Sequence, residues 1–370
     1  MPSDELDGRT PLEVAHMPNL AALAAGADVG RAAVIPAGMP PGSDVGNLSI
    51  FGYDPSQFHT GRAPIEAAAL RLTLSDDEIA FRCNLVVTNG DTMIDFAGGH
   101  PSNELAGDAI DALNVALAST EIRFHRGVQY RHIMVAPRAW LDVECAPPHD
   151  FLDAVAPLPN GPGADRLSAI MEASKSVLEG IEGLAANQVW LWGQGPMPRL
   201  EPFRQRFGVD AALVTAVDLV RGLGVLADMR ICEVEGATGW YDTNYEGKRD
   251  AALDALRSGA DLAVIHVEAS DEAGHAGNAT AKIESLENWD RRILGGLIDG
   301  LDEMGDWRML LLPDHATPLA LRTHTADPVP YLLYDRRSKG PGGLYHEQAV
   351  ADAVIIPGHE LMGRLIGVTP

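Results

Sequence analysis

The sequence predicts an α/β fold: a largely parallel sheet flanked by helices, with a smaller α+β domain inserted into it. Two observations carry this. In the C-terminal half, short apolar runs ("QVWLW", "AALVTAV", "LAVIHVEA", "WRMLLLPDH", "VPYLLYD") alternate with helical segments such as "TAKIESLENWDRRILGGLIDGLDEM". That is the pattern of strands covered by helices. Between residues 66 and 185 the texture changes to paired strands around turn residues, with helices between them. The expected division is 1–65 with 186–370 as one domain and 66–185 as the insertion.

Taken in order, the first sixty residues read as a helix over "TPLEVAHMPNLAALAAGA" and then a Gly/Pro-rich loop. "AFRCNLVVTNGDTMIDFAGG" reads as two strands around an Asn89-Gly90 turn, and "TEIRFHRGVQYRHIMVAP" as a hairpin around Gly127. "SNELAGDAIDALNVALAST" and "ADRLSAIMEASKSVLEGI" have helical periodicity. Trp190 and Trp192, two residues apart, suit one face of a core strand. The Gly193-Gln194-Gly195 turn after them is too short to name a phosphate loop.

Composition narrows the function. Of 370 residues, 28 are Lys or Arg and 52 are Asp or Glu, a formal charge of −24. A phosphate backbone or an anionic membrane surface is repelled by such a chain, so nucleic-acid and membrane partners are not expected. A small anionic substrate remains compatible, because a pocket's local field can oppose the global one. Cys83, Cys145 and Cys232 show no paired spacing, which suits a reducing cytoplasm. Hydrophobic residues make up 46% of the chain without forming a run long enough to span a bilayer.

Three polar clusters follow or precede apolar strand candidates, where functional groups of such sheets gather. "VIHVEASDEAGHAG" carries Asp271 and His275 four residues apart, "MLLLPDHATP" carries Asp314 and His315, and "LRTHTADPVPYLLY" carries His324. Imidazoles and carboxylates suit Zn²⁺, Mn²⁺ and related ions. Alone, each cluster reads more readily as a loop cap beside a surface histidine; together they point to a metal site. "PPGSDVGNLS" places Ser43 after a tight turn, where it reads either as a helix N-cap or as a hydroxyl at the mouth of the sheet.

The strings "PPGSDVGNLSIFGYDP", "HTGRAPIEAA", "FRCNLV", "YRHIMV", "WLWGQG", "EGATGWYDTNYEGK", "HVEASDEAGH", "LPDHATP" and "RTHTADPVP" resemble the archaeal-type, cofactor-independent phosphoglycerate mutases of the alkaline phosphatase superfamily. The resemblance runs from about Thr10 to Asp335 and implies an alkaline-phosphatase-like fold. It implies an isomerase of glycolysis and gluconeogenesis that interconverts 3- and 2-phosphoglycerate through a phosphoserine. It also implies two divalent ions (Mn, Co, Mg or Zn) and no 2,3-bisphosphoglycerate. Carried over, Asp271, His275 and His324 hold one ion, and Asp314, His315 and the Ser43 hydroxyl the other. A bound cation would lower the pKa of a serine hydroxyl that is otherwise a poor nucleophile. Lys248 corresponds to the lysine that stabilises the transferring phosphoryl oxygens. Arg62 is expected near the phosphate, and Arg82 and Arg131 either bind the glycerate carboxylate or form inter-strand salt bridges. His132 and His149 are expected to be structural. The insertion is the expected substrate-binding lid, excluding water that would turn a mutase into a phosphatase. The alternatives are a homoserine-kinase-like phosphotransferase, a phosphomonoesterase or a metal-deficient non-catalytic relative; the oligomeric state stays open.

One departure is visible. Family members begin with an apolar strand ending in Asp-Gly-Met, whose aspartate ligates the ion at the serine. This chain opens "MPSDELDGRTPLE", resembling the region after that strand, with Met1 matching the methionine of the motif. The expectation is a missing central strand, unpaired edges beside it, a weakly held ion at Ser43 and poor activity. Asp4 and Asp7 are expected at the surface rather than as substitute ligands.

Overall fold

The computed structural model describes residues 2–368; Met1, matched above to the Asp-Gly-Met motif, lies outside the described residues. The strands, in chain order, are β1 (Asp28–Ala33), β2 (Glu78–Asn89), β3 (Thr92–Asp95), β4 (Arg123–Val128), β5 (Arg131–Pro137) and β6 (Gln188–Gly195). They continue with β7 (Ala211–Val214), β8 (Arg230–Cys232), β9 (Leu262–Ile265), β10 (Arg308–Leu311), β11 (Val329–Asp335) and β12 (Ile355–Pro357). The chain divides into two compact units, Met1–His59 with Leu200–Pro370, and Thr60–Arg199.

The first unit is α/β and holds two sheets. In one, β7 lies between β8 and β9 and is parallel to both. Its four residues are all buried, as a strand covered on both faces requires. The helices Asp218–Leu226 and Tyr245–Arg257 make the crossovers that parallel neighbours need. The other sheet has the order β10-β11-β1-β12, with β11 antiparallel to both neighbours and β12 parallel to β1. The parallel character expected from the sequence therefore gives way around β11.

β9 and β10 each end their sheet, and both line one cavity of about 990 Å³. Residues 262–266 line it from one sheet and 308–314 from the other; it extends to Ser43, Asp271, Asp314 and His315.

Three local readings are corrected. The N-terminal segment read as one helix is two, Pro11–Val14 and Pro18–Ala24. Thr10 and Glu13 form a capping box on the first, and Pro18, which cannot donate within a helix, starts the second. Second, β1 lies where only a loop was expected. Its sequence DVGRAA has little strand propensity, but its register with β11 sets Gly30 opposite Tyr331, where a Cβ would meet the tyrosine ring at 2.7 Å. Third, the hairpin of β4 and β5 turns at Gln129, which has φ 53°, and not at Gly127. Gly127 sits where the register slips, because a Cβ there would lie 2.1 Å from the Arg131 carbonyl.

The helical stretch 279–304 runs as expected but contains one π-helical turn, Trp289–Leu294. That turn aims the buried Asp290 at the N-terminus of Pro18–Ala24, whose own N-cap, Met17, has no capping oxygen. Asp290 accepts from the amides of Asn19 (3.2 Å) and Leu20 (2.8 Å) and so supplies the missing cap.

The second unit is α+β. Its antiparallel sheet has the order β3-β2-β5-β4, and β6 also pairs with β2. The two faces of β2 bury different sets, as its period of two demands. Phe81, Cys83 and Leu85 join the core beneath the helices Asn103–Leu117 and Ala164–Leu178, together with Trp190 and Trp192. Ala80 packs with Ile133 and Val135 against Ala63 and Ala67 of the helix Arg62–Ala69. All three cysteines are free thiols, and no helix among the described residues is long and apolar enough to cross a membrane.

Candidate active site

The site is built on loops that leave β1 and β10, follow β9 and precede β11. Ser43 opens the helix Ser43–Ile50 as its first residue; Gly42 is the N-cap, with no side-chain cap. The hydroxyl is turned elsewhere: Ser43 Oγ lies 3.0 Å from His315 Nε2. Ser43, Gly46 and Asn47 share one helical face by their i, i+3, i+4 spacing. Gly46 lets that face touch the strand exit, since a Cβ on it would fall 2.0 Å from the Asp314 carbonyl oxygen. The buried Asn47 donates from Nδ2 to Asp314 Oδ2 (2.7 Å) and to the Ser43 carbonyl (3.0 Å), tying the Ser43 helix to the carboxylate.

Asp271 and His275 stand one turn apart on the helix Ala269–His275, 3.3 Å between Oδ2 and Nε2. His275 Nε2 lies 2.9 Å from His324 Nε2, and His324 Nε2 lies 3.5 Å from Asp271 Oδ1. His315 stacks on His324 with ring centroids 3.9 Å apart, and its Nε2 is 3.6 Å from Asp314 Oδ2. The sequence-predicted ligands Ser43, Asp271, His275, Asp314, His315 and His324 are thus brought into one connected group.

Charge within the group is tightly coupled. Burial alone would raise the Asp271 pKa, but hydrogen bonds from His275 and His324, with the field of His315, hold it well below the usual carboxylate range. The hydrogen bond to Asp271, against burial, lifts His275 to about 9. Burial holds His315 below the usual imidazole range, with Asp314 opposing.

The donors fit divalent cations. One ligand atom each from Asp271, His315 and His324 lie within 4.8 Å of one another. Ligands at ~2.1 Å from a shared ion sit roughly 3 Å apart, and the facing Nε2 atoms of His275 and His324 have that spacing. His315 belongs to this trio and also contacts Ser43 and Asp314, so the two ligand sets implied by the sequence are contiguous.

Lys248 comes from the helix Tyr245–Arg257 and is 1% exposed. Its Nζ donates to the carbonyls of His266 (3.1 Å) and Thr238 (3.5 Å), and burial, opposed by Glu268, pushes its pKa down to about 8. Burial pushes the His266 imidazole, directly after β9, down to about 4; Asp314 opposes this and Lys248 adds to it.

In the second unit, Arg62 and Arg82 converge on Glu66, with Nε–O distances of 3.3 and 3.0 Å. The Arg82 guanidinium lies 4.5 Å from the centroid of the Trp192 ring, and that of Arg131 5.3 Å from Tyr130. Burial pushes the Arg82 pKa down to about 10, Glu66 opposes this, and the like charges of Arg62 and Arg131 add to it. Arg82 is thus paired with a carboxylate on the helix Arg62–Ala69 rather than across strands, and Arg62 and Arg131 lie close enough to act on its charge. His132 is a core residue whose Nδ1 accepts from the Gly127 amide at 3.0 Å, and His149 packs edge-on against Trp192. Asp4 and Asp7 are exposed.

Residues 24–182 match the family model described as 2,3-bisphosphoglycerate-independent phosphoglycerate mutase. The mutase of that name from Methanosarcina acetivorans is 40% identical, the match covering 99% of this chain and 96% of that protein. The chain belongs to the 2,3-bisphosphoglycerate-independent phosphoglycerate mutase family. The mutase of Methanothrix thermoacetophila is 45% identical over 90% of this chain and 87% of its own. Among solved structures, the Pyrococcus horikoshii protein PH0037 superposes with a TM-score of 0.79 at 28% identity, covering 99% of this chain and 94% of that one. The cofactor-independent phosphoglycerate mutase of Thermoplasma acidophilum, at 23% identity and a TM-score of 0.61, shares the fold, covering 100% of this chain and 96% of that one.

Within this mutase-family chain, sequence reading passed over several polar groups at the site: Asn47, His266, Thr317 and Lys282. Lys282 Nζ donates to the carbonyls of Ser270 (3.1 Å) and Thr317 (2.9 Å), clamping the backbone beside Asp271 to that beyond His315. Asn47 alone had a usable sequence signal, its i+4 spacing from Ser43.

Proposed function

We propose that this chain interconverts 3-phosphoglycerate and 2-phosphoglycerate through a phosphoserine on Ser43, independently of 2,3-bisphosphoglycerate. The observation that carries the reading is the Ser43 hydroxyl, 3.0 Å from His315 Nε2, at the edge of a group of two carboxylates and three imidazoles. Asp271, His275 and His324 would hold one divalent ion, and Asp314, His315 and Ser43 the other. When bound, such ions lower the hydroxyl pKa and neutralise charge on the transferring phosphoryl group.

The protein's own part is positional. Ser43 Oγ bonds to phosphorus as the bond from phosphorus to the 3-oxygen of the substrate breaks. The proton lost by Ser43 is balanced by the one gained by the departing glycerate oxygen. Lys248, pinned by two carbonyls, offers its remaining N–H to the phosphoryl oxygens. In the second unit, Arg62 is assigned to the phosphate, and Arg82 and Arg131 to the glycerate carboxylate. Clustered guanidiniums repel one another, and an anion between them relieves that repulsion. Glycerate held in this way turns and takes the phosphoryl group back on its 2-hydroxyl.

The test is a coupled assay of 3-phosphoglycerate conversion with Mn²⁺, Co²⁺, Mg²⁺ or Zn²⁺, with free phosphate measured in parallel. Isomer without phosphate release is the expected result. Phosphate without isomer overturns the reading in favour of a phosphomonoesterase, and no turnover with any of the ions overturns catalysis by this polypeptide.

A further inference from the structure

We propose that Thr317 is a positioning residue that locks His315 in the tautomer carrying its proton on Nδ1. Nε2 then presents a bare lone pair to Ser43 and to any cation beside it. The argument starts from the hydroxyl inventory: Thr317 Oγ1 has one proton to give and two lone pairs with which to accept. It has two polar neighbours in this site, Asp271 Oδ1, to which it donates, and His315 Nδ1 at 3.2 Å. An ionised carboxylate only accepts, so the single hydroxyl proton goes to Asp271. What Oγ1 has left for His315 is a lone pair, and a lone pair satisfies Nδ1 only if that nitrogen bears the hydrogen.

A neutral imidazole with its proton on Nδ1 has none on Nε2. Nε2 is the atom 3.0 Å from Ser43 Oγ and 3.6 Å from Asp314 Oδ2. The hydrogen bond between serine and histidine therefore runs from the hydroxyl to the ring. The same lone pair is the one a cation would use. The opposite tautomer would set an Nε2–H against Ser43 and leave Nδ1 and Oγ1 facing as two acceptors. Releasing that conflict would take the hydroxyl proton away from Asp271.

Thr317 is itself held firmly. His315 and Thr317 are both buried, and Lys282 donates to the Thr317 carbonyl as well as to Ser270. A Cβ on Gly274 would lie 2.6 Å from the same Thr317 carbonyl, so the two ligand-bearing backbones are in direct contact. Thr317 thus acts on two candidate ligands at once, orienting the Asp271 carboxylate with its proton and the His315 ring with its lone pair. Groups of this kind behind metal-ligating histidines set tautomer and affinity together.

The tautomer half of the proposal stands on hydrogen bonds alone; its consequence for cations rests on the metal reading above. The experiment separates them. Nitrogen-15 shifts of the histidine ring nitrogens are recorded on the metal-free chain, and Mn²⁺ and Zn²⁺ affinities are measured by chelator competition. Wild type and Thr317→Ser are expected to show His315 protonated on Nδ1, whereas Thr317→Val loses that bias. Thr317→Val is expected to bind the metal about 10- to 100-fold more weakly, with Thr317→Ser restoring wild-type affinity. Thr317→Ala serves in place of Thr317→Val if the latter does not fold in thermal melts. A His315 protonated on Nε2 in the wild type overturns the proposal, as does an unchanged tautomer in both hydroxyl-free variants. Weakening by Thr317→Ser with wild-type affinity in Thr317→Val assigns the effect to the methyl group and overturns it too. The expected tautomer shifts with no cation bound even by wild type support the Thr317 assignment and overturn the metal reading alone.

Discussion

Gly46 and Asp314 meet backbone to backbone: a methyl group on Gly46 would lie 2.0 Å from the Asp314 carbonyl oxygen. No side-chain rotation relieves that contact, because both parties are fixed by main chain. The glycine therefore sets how closely the Ser43 helix approaches the strand exit carrying Asp314 and His315. Gly46→Ala is expected to push the helix outward, lengthen the bond between Ser43 and His315 and destabilise the fold by roughly 1–3 kcal/mol, as overpacking does. A denaturant melt reads the stability loss, and chelator competition reads the weakened site. Unchanged values in both would show that the strand exit yields freely.

Ser43→Ala separates chemistry from architecture. Ser43 makes no side-chain cap, so the helix loses little when its hydroxyl is removed. Turnover of 3-phosphoglycerate is expected to fall by on the order of 10⁴-fold or more, and labelling of the protein from radiolabelled substrate should vanish. The thermal midpoint is expected to stay close to that of wild type. Residual isomerisation at wild-type rate would remove Ser43 from the reaction.

Much of this is legible in the sequence, and what is not has physical reasons. Asp271 and His275 declared themselves by helical spacing, and the Asp314 and His315 pair by following an apolar strand. Ser43 was ambiguous because the same local sequence suits a cap and a nucleophile; Gly42 serves as the cap, and His315 engages the hydroxyl. Thr317 and His266 gave no signal, since a lone threonine or histidine acquires a partner only when distant segments pack. β1 was missed because strand propensity in DVGRAA is overridden by pairing with β11 and β12. Arg62 and Glu66 are an i, i+4 pair within one helix, but the pairing of Arg82 with Glu66 joins that helix to a strand, a tertiary relation that no spacing rule encodes.

Acid sensitivity in the second unit should trace to His132. The ring is 1% exposed, and burial pushes its pKa down to about 4 from the ordinary 6.5. The unfolded chain therefore binds a proton that the folded chain refuses between these values. Stability from this group is complete above about pH 6.5 and is lost as pH falls toward 4, up to roughly 3 kcal/mol at 1.36 kcal/mol per pK unit. Urea melts at pH 7 and pH 4.5 are expected to show a smaller pH-dependent loss in His132→Asn than in wild type. Parallel losses in the two proteins would place the acid-sensitive group elsewhere.

Arg82 offers the sharpest test of the substrate-binding role proposed for the second unit. Its guanidinium combines an ion pair to Glu66 with stacking on Trp192, and it does so almost wholly out of water. Lysine keeps the charge, but it cannot present a planar fork to a carboxylate while stacking on an indole. If Arg82 only braces Glu66, Arg82→Lys costs stability and leaves the kinetic constants alone. If it binds the glycerate carboxylate, KM for 3-phosphoglycerate is expected to rise by roughly tenfold or more, the equivalent of about 1.4 kcal/mol of binding. Inhibition by free glycerate should weaken by a similar factor, whereas inhibition by inorganic phosphate, which lacks the carboxylate, should not change. The contrast between the two inhibitors is decisive because a general loosening of the unit weakens both, and the loss of a carboxylate contact weakens one.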